Sequence, residues 1–355
     1  MSVFIIAEAG VNHNGDRDKA FQLVDAAVAA GVDAVKFQTF KADSLVTKDA
    51  TKAEYQKQTT NVEESQYSML KRLELSHEIH NDLLQYCKSK NIQFLSTAFD
   101  LESLHFLVSD LGLETLKVPS GEITNGPLLL AHAQTGKNLI VSTGMTTIDE
   151  IEDALGVIAY GFTKKISPSK SAFQSAYHSE YGQEILRKKV TLLHCTTEYP
   201  APFEDINLRA MQSMQEKFGL KIGYSDHSKG IAVPVAATAM GAVLIEKHFT
   251  LDKSLPGPDH KASLEPIELK SMVDSIRMIE KALGDGIKMP QSSEIKNRDI
   301  ARKSLVASEN IKKGGLFTEH NITLKRPGVG KSPMDYWDIL GKESEHEYQA
   351  EDVLI

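Results

Sequence analysis

The sequence predicts an α/β protein, a TIM (β/α)8 barrel followed by a small C-terminal domain. Three observations carry the prediction. Short apolar runs that end in polar or charged residues recur through residue 250. Amphipathic helical patterns fill most of the intervals, as in Asp18 to Ala30 and Ile148 to Ala159. The chain has 355 residues, enough for one barrel and a small extra domain. Alternating strand and helix patterns imply a parallel sheet. The apolar runs near 3–8, 33–38, 92–97, 115–118, 138–143, 190–196, 220–225 and 243–248 supply enough strands to close it. An open, doubly wound sheet is the structural rival.

Two intervals are longer than a strand-helix unit needs. Residues 40–75 leave the C-terminal end of the second strand, so they belong on the active-site face. Residues 163–187 precede the sixth strand and belong on the opposite face, where their polar composition predicts a surface excursion with little chemistry. The barrel is expected over 1–284, where Gly284-Asp285-Gly286 breaks the pattern. A polar linker is expected over 285–300 and a compact module over 301–355.

Composition narrows the function. Apolar residues make up 41% and charged residues 25%, ordinary for a soluble globular protein. The net charge of −8 argues against a nucleic-acid partner. No apolar run approaches the ~20 residues that span a bilayer. The N-terminal Val3-Phe-Ile-Ile-Ala7 reads as a strand, without the charged n-region of a signal peptide. Only Cys87 and Cys195 occur, which suits a reducing cytoplasm and buried apolar roles.

The strand ends carry the chemistry. The first delivers Glu8, a carboxylate that can orient a ligand or trade a proton, followed by His13 and Asn14 with capping chemistry. The second and fourth deliver Lys36 and Lys117. A lysine inside a barrel is costly unless it is paired or meets an anion. One could be paired with Glu8 or Glu122, one could form a Schiff base, and two together favour a phosphorylated acid as ligand. Thr97 and Ser142 end the third and fifth strands, where hydroxyls and glycines let backbone N–H groups approach phosphate. The sixth strand offers His194, a candidate core histidine, and then Tyr199, a candidate pocket wall. His227 and His248 end the seventh and eighth strands. Two imidazoles at neighbouring strand ends can hold one divalent ion in an open site. Mn2+ is favoured if the other ligands are water and substrate oxygen, with Mg2+ or Co2+ as alternatives. Asp259, in the rigid Pro256-Gly-Pro-Asp259 loop, either meets a sugar hydroxyl or shapes the loop.

The segments Glu8-Ala-Gly10, Val35-Lys-Phe-Gln-Thr39, Lys117-Val-Pro-Ser-Gly-Glu122, Ser142-Thr-Gly-Met145, Ser225-Asp-His227, Glu246-Lys-His-Phe-Thr250 and Gly257-Pro-Asp259 together resemble the sialic acid (nonulosonate) synthase family. The C-terminal module, with Ala301-Arg-Lys-Ser304 and Lys325-Arg-Pro-Gly328, resembles that family's antifreeze-like (SAF, β-clip) domain. The resemblance implies condensation of phosphoenolpyruvate with an N-acylated mannosamine-type sugar and water, with phosphate leaving by C–O cleavage. N-acetylneuraminate is the leading product and N,N′-diacetyllegionaminate the alternative. A divalent-metal pyruvate aldolase is a more distant one.

Carried over by position, His227 and His248 would bind the metal. Lys36, Thr97, Lys117, Ser120, Ser142 and Ser225 would hold phosphoenolpyruvate. Glu8 and Glu122 would be the acid/base and orienting groups. Gln38, Asn61, Tyr199 and Asp259 would face the sugar. Arg326 would reach it from the partner subunit of a domain-swapped homodimer. Thr196-Thr197 occupies the segment where some relatives carry an asparagine, which opens the question of sugar choice.

Overall fold

A computed structural model describes residues 2–60, 64–163 and 167–355. The chain divides into two compact units, one ending at Gly284 and one spanning Asp285–Ile355.

The first unit is a closed parallel barrel of eight strands in sequence order. They are β1 (Phe4–Gly10), β2 (Ala34–Thr39), β3 (Gln93–Ala98), β4 (Thr115–Val118), β5 (Asn138–Ser142), β6 (Val190–His194), β7 (Lys221–Asp226) and β8 (Leu244–His248). Period-two alternation sorts each strand into an outward and an inward row. Outward residues such as Val35, Phe94, Val141 and Ile245 join the large core beneath the helices. Inward Ile6, Ala34, Leu95, Ile140, Leu193 and Leu244 form one apolar layer that plugs the barrel. Two residues further along β1, β2, β3, β5 and β8, the inward positions become Glu8, Lys36, Thr97, Ser142 and Glu246. Gly223 is required within this packing, since a Cβ there would lie 2.5 Å from the Leu244 carbonyl oxygen.

The helices follow the same logic. The first, α1 (Arg17–Ala30), starts at Asp16, whose side chain accepts from the Lys19 N–H, and ends at Gly31 with φ of 78°. Ala20, Leu23, Val24 and Ala27 form its buried stripe. The 163–187 region is a helical insertion ahead of β6. Its described part forms two helices, Lys170–His178 and Glu180–Lys189. The first of them packs on helix Ile148–Thr163 and buries Ala176 and Tyr177. Gly156 admits it, since a Cβ there would meet the Phe173 carbonyl at 3.2 Å. The Phe173, Ala176, Tyr177 stripe has helical spacing, diluted in sequence by the polar residues between.

The second unit holds its own small core of Leu305, Ala307, Ile311, Phe317, Ile322, Tyr348 and Leu354. Ser304–Ala307 pairs antiparallel with Ile322–Lys325. The expected linker is not wholly irregular, because Ser292–Ala301 is a helix opened by a Gln291/Glu294 capping box.

Buried histidines make the barrel acid-sensitive. His132 is fully buried, donates from Nδ1 to the Leu128 carbonyl at 2.9 Å, and leaves Nε2 without a partner. Burial pushes its pKa down to about 4. The unfolded chain therefore binds this proton more tightly than the fold does. The stabilisation is complete above the unfolded value of ~6.5 and is lost as pH falls from there towards 4. At ~1.4 kcal/mol per pKa unit the loss is on the order of 3 kcal/mol. His132→Leu should flatten the stability-against-pH curve across that window in urea titrations. An unchanged slope would exclude His132 as its source.

Candidate active site

Register places the polar ends of the strands at one level. Glu8 lies opposite Lys36 on one side and His248 on the other, Thr97 opposite Lys117, and Ser225 opposite Glu246. Together with the loops above, they line a cavity of about 360 Å3 at the C-terminal mouth of the barrel.

Its floor is a buried charge network. Lys36 Nζ lies 2.5 Å from Glu8 Oε2 and 3.5 Å from Glu246 Oε2, and donates to Thr97 Oγ1 at 3.0 Å. Lys117 Nζ donates to Ser142 Oγ at 2.6 Å and lies 3.7 Å from Glu246 Oε1. Ser225 Oγ donates to Glu246 at 2.9 Å. Glu246 therefore sits between both lysines. Burial opposes its charge, but Lys117 and Lys36 outweigh that and hold it down at about 2. Burial raises Glu8 to about 7. Burial also disfavours the charge on Lys36, yet Glu246 and Glu8 keep its pKa above the ordinary lysine value. Lys117 is pushed down by burial. Lys36 thus realises the ion pair with Glu8, whereas Lys117 is met by Glu246 rather than Glu122.

The histidines stand above this floor, with ring centroids 5.6 Å apart. His227 Nδ1 lies 2.6 Å from the Thr196 carbonyl oxygen, which places a proton on Nδ1. Its Nε2 keeps the lone pair, near Tyr199 Oη at 3.2 Å and Ser225 Oγ at 3.5 Å. His248 Nδ1 is buried without a hydrogen-bond partner among the described residues, 4.0 Å from Asp259 Oδ2. Burial lowers His227 to about 4 and, with His227 beside it, His248 further, so both rings are neutral. Burial raises Asp259 to about 7. Two neutral imidazoles with an oriented tautomer and an unpartnered nitrogen suit a divalent ion. Among the described residues no group of three or more His, Cys, Asp or Glu side chains is arranged as a metal cluster. An ion here would therefore keep positions for water and substrate.

The remaining expected residues are distributed as follows. Gln38 lines the cavity and reaches Glu8 at 3.5 Å. Ser120 Oγ accepts from the Gly144 N–H at 3.0 Å, and a Cβ on Gly144 would lie 2.2 Å from Thr197 Oγ1. Glu122 is half-buried at the rim and accepts from Asn125 at 2.7 Å. Thr196 turns its hydroxyl to the Asp205 carbonyl at 3.1 Å, while Thr197 lines the cavity with a buried, unpartnered Oγ1. His194 is structural, bonded through Nε2 to the Ile206 carbonyl at 2.7 Å. Asn61 lies outside the described residues. Arg326 is an exposed residue of the second unit.

Glu246 is a buried, charged cavity residue that sequence reasoning missed. Its signal is its position two residues before His248, on the same inward row of one strand.

The sequence profile of the NeuB family matches residues 23–288, and that of the SAF domain matches residues 302–347. The chain is 50% identical over 350 residues to the N,N′-diacetyllegionaminic acid synthase of Campylobacter jejuni, covering 99% of this chain and 98% of the relative. It is 46% identical over 355 residues to the Legionella pneumophila protein of the same description, covering 100% and 94%. Among solved structures, an N-acetylneuraminic acid (sialic acid) synthetase from Leptospira borgpetersenii, in complex with citrate, superposes with a TM-score of 0.67 at 35% identity, covering 84% of this chain and 90% of that one.

Proposed function

This chain belongs to the NeuB family of nonulosonate synthases, and we propose that it condenses phosphoenolpyruvate with 2,4-diacetamido-2,4,6-trideoxymannose to give N,N′-diacetyllegionaminate and phosphate. N-acetylneuraminate, favoured by the sequence alone, becomes the second choice. Two relatives, identical at 50% and 46% over nearly the whole chain, both bear the legionaminic description. One observation carries the chemistry: two buried lysines and two neutral histidines meet around Glu246 in one cavity.

The lysines take the phosphate and carboxylate of phosphoenolpyruvate, with the hydroxyls of Thr97, Ser142 and Ser225 and the Ser120–Gly144 turn supplying further polar contacts. The sugar enters above with its aldehyde towards the histidines. His227 and His248 would hold a divalent ion, which when bound polarises the aldehyde. The π pair between carbons 2 and 3 of phosphoenolpyruvate then forms a bond to the aldehyde carbon, the carbonyl π bond breaks onto its oxygen, which takes up a proton, and positive charge develops at carbon 2. Glu246 lies where a fixed negative charge stabilises that cation. Water adds at carbon 2, oriented by Glu8, whose raised pKa lets it accept the water proton. The bond from carbon 2 to the bridging oxygen then breaks, phosphate leaves with that oxygen, and the hydroxyl derived from water gives up its proton as carbon 2 becomes the ketone. Glu122 and Tyr199 stand at the rim to orient the sugar, and Asp259 and Gln38 face its hydroxyls.

Phosphoenolpyruvate labelled with 18O at the bridging position should place the label in released phosphate. Turnover should require phosphoenolpyruvate, and kcat/KM should be higher for the diacetamido sugar than for N-acetylmannosamine. Turnover of pyruvate without phosphoenolpyruvate would replace this reading with an aldolase.

Arg326 is proposed to complete the sugar site of the partner subunit in a homodimer. Mixing a barrel-inactive variant with Arg326→Ala should then restore part of the activity through hybrid dimers. No recovery after demonstrated subunit exchange would place the whole site within one chain.

A further inference from the structure

The cavity has two unlike sides. Every charged residue lining it comes from a strand end or from the loops after β4 and β8: Glu8, Lys36, Lys117, Glu122, Glu246 and Asp259. The segment after β2 contributes none among the described residues. It supplies Leu45, Val46 and Leu70, backed by buried Phe40, together with the amides Gln56 and Gln66. Leu45 and Leu70 are only partly buried and pack on a small apolar cluster of their own, separate from the barrel core. This segment leaves the C-terminal end of β2, so it belongs to the mouth, above the strand ends.

That polarity constrains how a sugar can sit. The aldehyde must reach the histidines and the phosphoenolpyruvate at the floor. The far end of the sugar, with carbon 6, then points outward. We infer that the wall formed by Leu45, Val46 and Leu70 receives a methyl group at carbon 6, making these residues determinants of selectivity for a 6-deoxy sugar. This rests on the synthase reading and names the part of the site that chooses the substrate. A hydroxyl on carbon 6 would lose its water against these three side chains, which offer it no hydrogen-bonding group. A 6-phosphate would meet no cationic side chain of this segment among the described residues that line the cavity. Gln56 and Gln66 are neutral hydrogen-bonding groups, suited to acetamido oxygens.

The test compares two sugars that differ only at carbon 6: 2,4-diacetamido-2,4,6-trideoxymannose and its 6-hydroxy counterpart. The wild type should favour the deoxy sugar by about 10- to 100-fold in kcat/KM, the range a hydrophobic pocket gives. Val46→Thr adds a hydroxyl at nearly constant volume, and Leu70→Asn places an amide on the wall. Each should shrink the ratio several-fold, whereas a merely structural defect would lower both sugars together. A wild-type ratio near one, or a ratio unchanged in both variants, overturns the inference. If neither diacetamido sugar is turned over while N-acetylmannosamine is, the functional reading fails, and this substrate assignment fails with it.

Discussion

Glu246→Gln should destabilise the ligand-free protein by about 3–5 kcal/mol, the usual cost of removing one partner from a buried ionic group. The variant should also show a larger thermal shift with phosphoenolpyruvate than the wild type. The two outcomes have one cause. Glu246 lies 3.5 Å from Lys36 and 3.7 Å from Lys117. Lys36 retains Glu8 at 2.5 Å, but among the described residues Lys117 keeps as close partners the neutral Ser142 hydroxyl and a backbone carbonyl. An anionic ligand then supplies the charge that the substitution removed, so binding recovers stability that the wild type already has. Turnover should nonetheless fall by on the order of 100- to 1,000-fold, as expected when one preorganised charge is lost from the transition state. Scanning calorimetry with and without phosphoenolpyruvate reads the first effect and steady-state kinetics the second. An unchanged melting temperature, or a smaller ligand shift, would mean that Glu246 does not neutralise the lysines.

The second large effect concerns the histidines. His227→Ala and His248→Ala should each abolish stoichiometric Mn2+ binding, measured by electron paramagnetic resonance, and lower kcat by about 1,000-fold. Lewis-acid stabilisation is worth several kcal/mol, and each ~1.4 kcal/mol is tenfold in rate. Binding measured without turnover separates loss of metal from loss of catalysis. Full turnover by the double variant in chelator-treated buffer would remove the metal from the reaction.

The barrel was legible because its strands are apolar runs interrupted at their C-terminal ends by chemistry. The histidine pair and the two lysines stood out because such groups are costly inside a barrel. Glu246 was obscured because a carboxylate next to Lys247 reads as an ordinary surface pair. Only the strand alternation turns one inward and the other outward. The 163–187 helices were missed because Ala176 and Tyr177 lie among serines, lysines and glutamines that face away from the core. The distinct roles of Thr196 and Thr197 depend on which hydroxyl turns to Asp205, and sequence order carries no information about that.

The outward rows of β7 and β8 are as tightly specified as the inward ones. Lys247 Nζ lies 2.5 Å from Asp226 Oδ2, both fully buried, and it also donates to the Ser228 carbonyl. Asp226 accepts from the Ser228 N–H at 3.0 Å and from Tyr224 Oη at 3.3 Å. Residues facing the ligand therefore alternate one for one with a charged clamp facing the helices. A one-residue insertion or deletion in either strand would exchange the two sets, turning Asp226 or Lys247 into the cavity and a histidine into the hydrocarbon layer. Length variation should thus be absent from these strands and tolerated in the loops beyond them. Anyone transplanting the histidine pair onto another barrel would have to carry the Asp226–Lys247 pair along with it.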